Sequence, residues 1–247
     1  MKEKRQVAFE VEKGVMTIRI DNPETKNGLN YIGIEQLAEC YEYAEKSEDV
    51  QVMLITGNDR YFYTGGRVDP NNPGENDRYA DAIERLTRLQ DANKKPVVAA
   101  VSGDCLKAGM GVVAGADFAI AREGVKFGFP EIRMGGVPMM VMAETIDSMP
   151  KKFAMEAYCS SWEYTAEQMK QMGMLNMVVS KEEFWPTVEK YVHIFLDTPA
   201  ILIELTRKGY EKLSKGETRE ERRKIAMKML REECLPAMKK VETTYNV

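Results

Sequence analysis

KPVVAAVSGDCLKAGMGVVAGADFAIA, residues 95–121, carries the pattern that decides the fold. Pro96 opens VVAAV (97–101), a short run without a polar residue, as expected of a strand covered on both faces. The small-residue segment Gly109–Gly115 reads as a tightly packed helix, and DFAIA (117–121) as a further strand. Strand, helix and strand in so short a span predict a βαβ unit with parallel strands. The alternation continues toward the N-terminus. VMLIT (52–56) is another continuous apolar strand, ending at Gly57, and 78–93 is charged with apolar residues at helical spacing. Upstream again, VMTIRI (15–20) alternates like a half-buried strand, and Ile34, Leu37, Ala38, Tyr41 and Ala44 mark one face of a helix.

Beyond residue 160 the pattern changes. Thr165-x-x-Gln168 is a capping-box signature that starts a short helix, which Gly173 is placed to end. From Phe184 the chain reads as helix after helix, interrupted at Pro186, Pro199 and Gly216. The expected organisation is an α/β core over residues 1–195 and a helical region over 196–247.

The 247 residues are ample for a large buried core at about 150 residues per domain. A net charge of −4, from 35 Lys+Arg against 39 Asp+Glu, gives no support to nucleic acid as a partner. The one histidine, His193, excludes metal sites built on several histidines and would have to serve any Ser-His or Cys-His pair. It lies beside an apolar stripe (Val188, Tyr191, Val192, Phe195) and reads as structural. Cys40, Cys105, Cys159 and Cys234 form no C-x-x-C pair and read as reduced thiols. No run approaches the roughly 18 apolar residues of a membrane span, and MKEKRQVAFEVEKG (1–14) lacks the apolar stretch of a secretory signal. A cytoplasmic protein without membrane attachment is expected.

Gly109, Gly111 and Ala114 form a G-x-G-x-x-A, but SGDCLKA separates it from the preceding strand, where a dinucleotide fold would run almost directly into the first glycine. Two other bends matter more. Tyr63-Thr64-Gly65-Gly66 follows the VMLIT strand, and Lys107-Ala108-Gly109-Met110-Gly111 follows VVAAV. Adjacent parallel strands would bring both bends to one end of a sheet. Small residues there admit a ligand to the backbone, and two outward N–H groups aimed at one point make an oxyanion hole. Ordinary strand-to-helix turns are the alternative.

The segments IRIDNPETKNGLN (18–30), LITGNDRYFYTGGRV (54–68), residues 95–121, VKFGFPEIRMGGVP (125–138) and TAEQMKQMGMLNMVV (165–179), in this order, resemble the crotonase, or enoyl-CoA hydratase/isomerase, family. The resemblance implies a spiral core of ββα units with C-terminal helices that build trimers or dimers of trimers. It implies backbone N–H donors at Gly66 and Ala108 that polarise an acyl-thioester carbonyl. It places one acid/base at Glu131, in FGFPEI, and no resident cofactor or metal, coenzyme A being part of the substrate. Family hydratases carry a second glutamate two residues after the glycine stretch, where this chain has Gly111. A lone carboxylate favours shuttling a proton between C2 and C4 of an enolate, or a hydratase with one acid/base. Phe127, Phe129, Met134 and the run 138–142 are candidate pocket lining. Lys26, Gly65 and Lys107 match positions near the nucleotide or the second donor, and Asp117 matches a structural aspartate. Lys107 stands where the family has glycine, beside Asp104, and Arg67 where it commonly has aspartate. Tyr61 and Tyr63 flank the first donor without an assigned role. The Lys/Arg-rich stretch Arg207–Arg231 is interleaved with glutamates and reads as a solvated helix face.

Two further readings keep the fold. One is a decarboxylase or C–C bond-cleaving enzyme on a malonyl- or 3-oxoacyl thioester, with Lys107 holding a substrate carboxylate. The other is a catalytically silent protein that binds thioesters of coenzyme A or of an acyl carrier protein.

Overall fold

A computed structural model describes residues 5–68 and 72–241. Residues 1–4 of the opening segment and 242–247 of the helical region lie outside the described residues. By internal contacts the chain divides into two units, Met1–Val192 and His193–Val247.

The first unit holds two sheets. Strands β1 (Val7–Glu12), β2 (Val15–Ile20), β3 (Val52–Thr56), β5 (Val97–Val101), β7 (Phe118–Arg122) and β10 (Met177–Val179) form a six-stranded sheet in the order β1-β2-β3-β5-β7-β10. β1 and β2 pair antiparallel, and every later neighbour is parallel. A second sheet orders the three-residue strands β4 (Tyr61–Tyr63), β6 (Asp104–Leu106), β8 (Lys126–Gly128) and β9 (Glu163–Thr165), parallel except for β9. The chain lays one strand in the large sheet and the next in the small one. It then makes helix α2 (Pro73–Ala92) after β3 and β4, and α3 (Ala108–Gly115) after β5 and β6. After β7 and β8 come α4 (Met139–Thr145) and α5 (Lys151–Ser160). This is the ββα progression that the resemblance implies.

β3 and β5 are buried along their whole length, as their unbroken apolar runs demand. Helix α1 (Tyr31–Lys46) starts where the Asn30 side chain accepts the Gly33 N–H, and it buries Ile34, Leu37, Ala38, Tyr41 and Ala44. α2 packs on α1, and Arg85 of α2 bonds to Glu35 and Glu42 of α1. Helix α6 (Ala166–Gln171) carries both reciprocal bonds of its capping box, and Gly173 follows at φ 96°.

Helix α7 (Lys181–Leu196) runs through Pro186 instead of breaking there. The second unit consists of α8 (Ala200–Ser214), α9 (Arg219–Met229), a π-helical turn (Leu230–Cys234) and α10 (Leu235–Met238). The basic stretch is therefore two helices. Several of its lysines are paired, Lys215 with Glu211 at 2.6 Å, Lys224 with Glu220 at 2.7 Å, and Lys208 and Lys212 with Glu233. His193 is exposed, its Nδ1 3.3 Å from Asp197 Oδ1.

Candidate functional site

The first glycine bend is held by the loop before α1. Asn27 is fully buried and its amide donates to the carbonyls of Ile20 (2.9 Å) and Tyr61 (2.7 Å). Its Oδ1 accepts the Asn22 N–H at 2.8 Å. Thr64 Oγ1 donates to Lys26 O (2.8 Å), Leu29 N to Gly65 O (3.0 Å), and Arg67 N to Leu29 O (2.8 Å). These bonds use the amides on either side of Gly66 and leave the Gly66 N–H without a protein acceptor among the described residues. Lys26 is exposed directly beside this bend.

The second bend is tied to β8 by Lys107 N donating to Gly128 O at 3.1 Å. Lys107 takes φ 51°, ψ −123°, backbone that glycine adopts far more readily. It turns the chain into α3, whose first residue, Ala108, has an N–H that no turn of its own helix can satisfy. Parallel pairing of β4 and β6 presses the bends together. A methyl placed on Gly109 would lie 2.1 Å from Tyr63 O, and one on Gly65 would lie 2.5 Å from Lys107 Cβ and 3.2 Å from Ala108 N. The absence of side chains at 65 and 109 lets the main chains meet.

Glu131 precedes a 3₁₀ turn, Ile132–Met134. Its Oε2 is buried and has no hydrogen-bond partner among the described residues. Burial holds its carboxyl above the usual carboxylate range, against the opposing pull of its own N–H and the Lys107 ammonium. Lys107 thus faces Glu131 electrostatically, while Asp104 accepts the Lys126 N–H at 3.0 Å. Asp117 accepts the Val97 N–H at 2.8 Å, binding β7 to β5. The Arg67 stem lies against Gly28.

A cavity of about 60 Å³ opens beside Ala108, lined by Tyr63, Gly111, Val112, Met140, Val141 and Glu144 among others. Two of these belong to the expected 138–142 lining. Phe127 and Phe129 do not; both are fully buried in the core, and Phe129 stacks edge-on against Tyr158 at 5.1 Å. Met134 is 67% exposed and Met139 63%, so the methionine run is neither core nor wholly lining. Neither Gly66 nor Glu131 is among the lining residues. A larger cavity of about 290 Å³, lined by Phe153, Trp162 and Tyr164 among others, contains none of the residues singled out for chemistry.

Two side chains that sequence reasoning passed over stand here. Tyr79, on α2, brings its hydroxyl against Gly66, 1.5 Å from where a methyl on that glycine would be. Nothing in the sequence signals it. Glu144 lines the cavity from α4, and burial with the Asp91 charge holds its carboxyl above the usual range. Its place on the face of Met140 and Val141, four and three residues before it, was legible from the spacing, but its meeting with Gly111 was not.

The family model described as "Enoyl-CoA hydratase/isomerase" matches residues 10–243. The chain belongs to the enoyl-CoA hydratase/isomerase family. The 2,3-dehydroadipyl-CoA hydratase of Escherichia coli K12 is 32% identical over 171 residues, 68% of this chain and 66% of that protein. The 1,2-epoxyphenylacetyl-CoA isomerase of the same organism is 29% identical over 211 residues, 81% of this chain and 79% of that one. Among solved structures, human enoyl coenzyme A hydratase domain-containing protein 3 superposes with a TM-score of 0.84 at 18% identity, covering 98% of this chain and 100% of that chain, a likeness of fold. Against the pattern that the resemblance implies, this enoyl-CoA hydratase/isomerase family member has Glu131 in FGFPEI, with Arg67, Lys107 and Gly111 as the expected departures. No helix among the described residues is long and apolar enough to cross a membrane.

Proposed function

We propose that this chain is an acyl-thioester enzyme of the hydratase/isomerase type. Gly66 and Ala108 N–H groups hold the thioester oxygen, and Glu131 moves the proton. The observation that carries this reading is the meeting of two bends whose amides at Gly66 and Ala108 have no protein acceptor among the described residues, with a carboxylate oxygen likewise unpartnered there on the residue facing Lys107. An amide pair of this kind stabilises the enolate more than the ground-state carbonyl, and losing one donor typically costs ~10²–10³ in rate. A carboxyl held above its usual range by burial is suited to give a proton to C2 and to take one back near neutral pH. In this reading Lys26, exposed beside the first bend, and Lys107 pair with phosphates of the coenzyme A moiety, with Gly65 allowing the close approach.

Incubation with crotonyl-CoA and a 3-enoyl-CoA, followed at the thioester absorbance, tests the reading. Turnover that Glu131→Gln abolishes while thioester binding persists supports it; unchanged turnover in that variant removes Glu131 from the mechanism. CO2 release from a malonyl thioester would select the decarboxylase instead, and tight binding without turnover the silent binder. The proposal includes a cytoplasmic setting, which four free thiols suit, and a homotrimer or dimer of trimers. Tyr210, Met227, Leu230, Leu235 and Met238 leave apolar surface exposed on the C-terminal helices. Light scattering at micromolar concentration should give a trimer or hexamer mass; a monomer would refute the assembly alone.

A further inference from the structure

We infer that Glu144 supplies the second carboxylate of the site, reaching from α4 to the place beside which a side chain on Gly111 would begin, and that the site is thereby built for hydration. The inference rests on the hydratase/isomerase reading above and specifies its reaction.

Gly111 follows Ala108 by three residues in α3, so both lie on one helix face, and both line the same cavity. A methyl on Gly111 would stand 3.3 Å from Cβ and 3.3 Å from Cγ of Glu144. The stem of Glu144 therefore lies directly against the volume where a residue at 111 would begin, and a side chain at 111 would have it give way by a few tenths of an ångström. Glu144 reaches the cavity on the same face of α4 as Met140 and Val141. It makes no hydrogen bond or ion pair among the described residues, in contrast to the paired glutamates of the second unit. Partial burial, with the nearby Asp91 charge, raises its proton affinity, the direction that suits a general base.

The chemistry balances with one water. Glu144, as carboxylate, takes a proton from the water whose oxygen bonds to C3 of the enoyl thioester. The C2=C3 π pair moves toward C1 and loads the thioester oxygen held by the Gly66 and Ala108 amides. Glu131, as the acid, then gives its proton to C2 as the carbonyl re-forms. The product gains H and OH, Glu144 releases its proton to solvent and Glu131 regains one. Double-bond isomerisation needs no water and draws only on Glu131.

The test compares hydration of crotonyl-CoA with isomerisation of a 3-enoyl-CoA in the wild type, Glu144→Gln and the double variant Gly111→Glu/Glu144→Ala, with melting curves for each. In Glu144→Gln, the hydration kcat should fall at least ~100-fold more than the isomerisation kcat, the span expected for loss of a general base. The double variant should recover hydration to within about tenfold of the wild type, because it returns a carboxylate to the same volume from α3. Should Glu144→Gln fail to fold, the double variant alone decides, by hydrating or not. Hydration at wild-type rate in Glu144→Gln, equal loss of both reactions, or a folded double variant that does not hydrate overturns the inference and leaves the proposed function standing. A wild type that isomerises but does not hydrate does the same. A wild type that turns over neither substrate removes both.

Discussion

Gly109 illustrates how much rests on a single missing methyl. Its Cα faces Tyr63 O so closely that an added methyl would sit 2.1 Å away, and the neighbour is backbone that cannot swing aside. Gly109→Ala must push β4 from α3 and part the two bends. We expect a loss of about 1–3 kcal/mol in stability, the usual range for overpacking, read in denaturant titration, and a larger loss of thioester turnover. Glu131 gives a prediction of the opposite sign for stability. Its carboxyl binds a proton more tightly folded than unfolded. The folded state therefore gains from this group below the ordinary carboxylate range and loses that gain as pH rises through the raised folded value. Gln does not titrate. Glu131→Gln should melt above the wild type at neutral pH, with the difference closing as pH falls below the carboxylate range; a gap that widens toward acid would contradict the assignment. The acid proposed at Glu131 is thus held at a cost to the fold.

Among the elements, the short ones decide the site. β4, β6 and β8 have three residues each, too few for periodicity to reveal, yet their parallel pairing sets the bends side by side. Sequence patterns disclosed β2, β3, β5 and the buried face of α1 because those runs carry alternation, continuous apolarity or helical spacing. They also suggested that Pro186 would interrupt a helix that the structure continues to Leu196. At α6 the local signal was complete. Thr165 accepts the Gln168 N–H at 3.2 Å, and Gln168 Oε1 takes the Thr165 N–H at 2.8 Å. Thr165→Ala should therefore lower stability by about 1 kcal/mol. For a chain of this length that is a fall of roughly 2–4 °C in Tm, with thioester turnover unaltered, since α6 lines neither bend.

Over the whole molecule, thiol chemistry reports on the core. Burial pushes the Cys40 thiol up to about 12 and Cys105 well above its ordinary value, whereas Cys159 is exposed. Thiolate is the reactive form, so both buried cysteines should stay silent to a disulfide reagent until the large core opens. Titration of native protein should modify Cys159 first. Cys40 and Cys105 should follow only with loss of the native circular dichroism signal. Modification of Cys105 at the rate of Cys159 in folded protein would mean that β6, and with it the second bend, opens locally.

The sequence by itself determined the βαβ alternation and the two glycine bends, because strand, helix and turn preferences act over a few neighbouring residues; Glu131 was singled out by the resemblance. Tertiary structure alone decided which residues share a cavity. Phe127 and Phe129 went to the core while Tyr79 came to Gly66, and Glu144, thirty-three positions beyond Gly111 in the chain, came to lie against it. Such meetings depend on how helices pack across strands. That is a property of the volumes of many side chains together, which no local pattern contains.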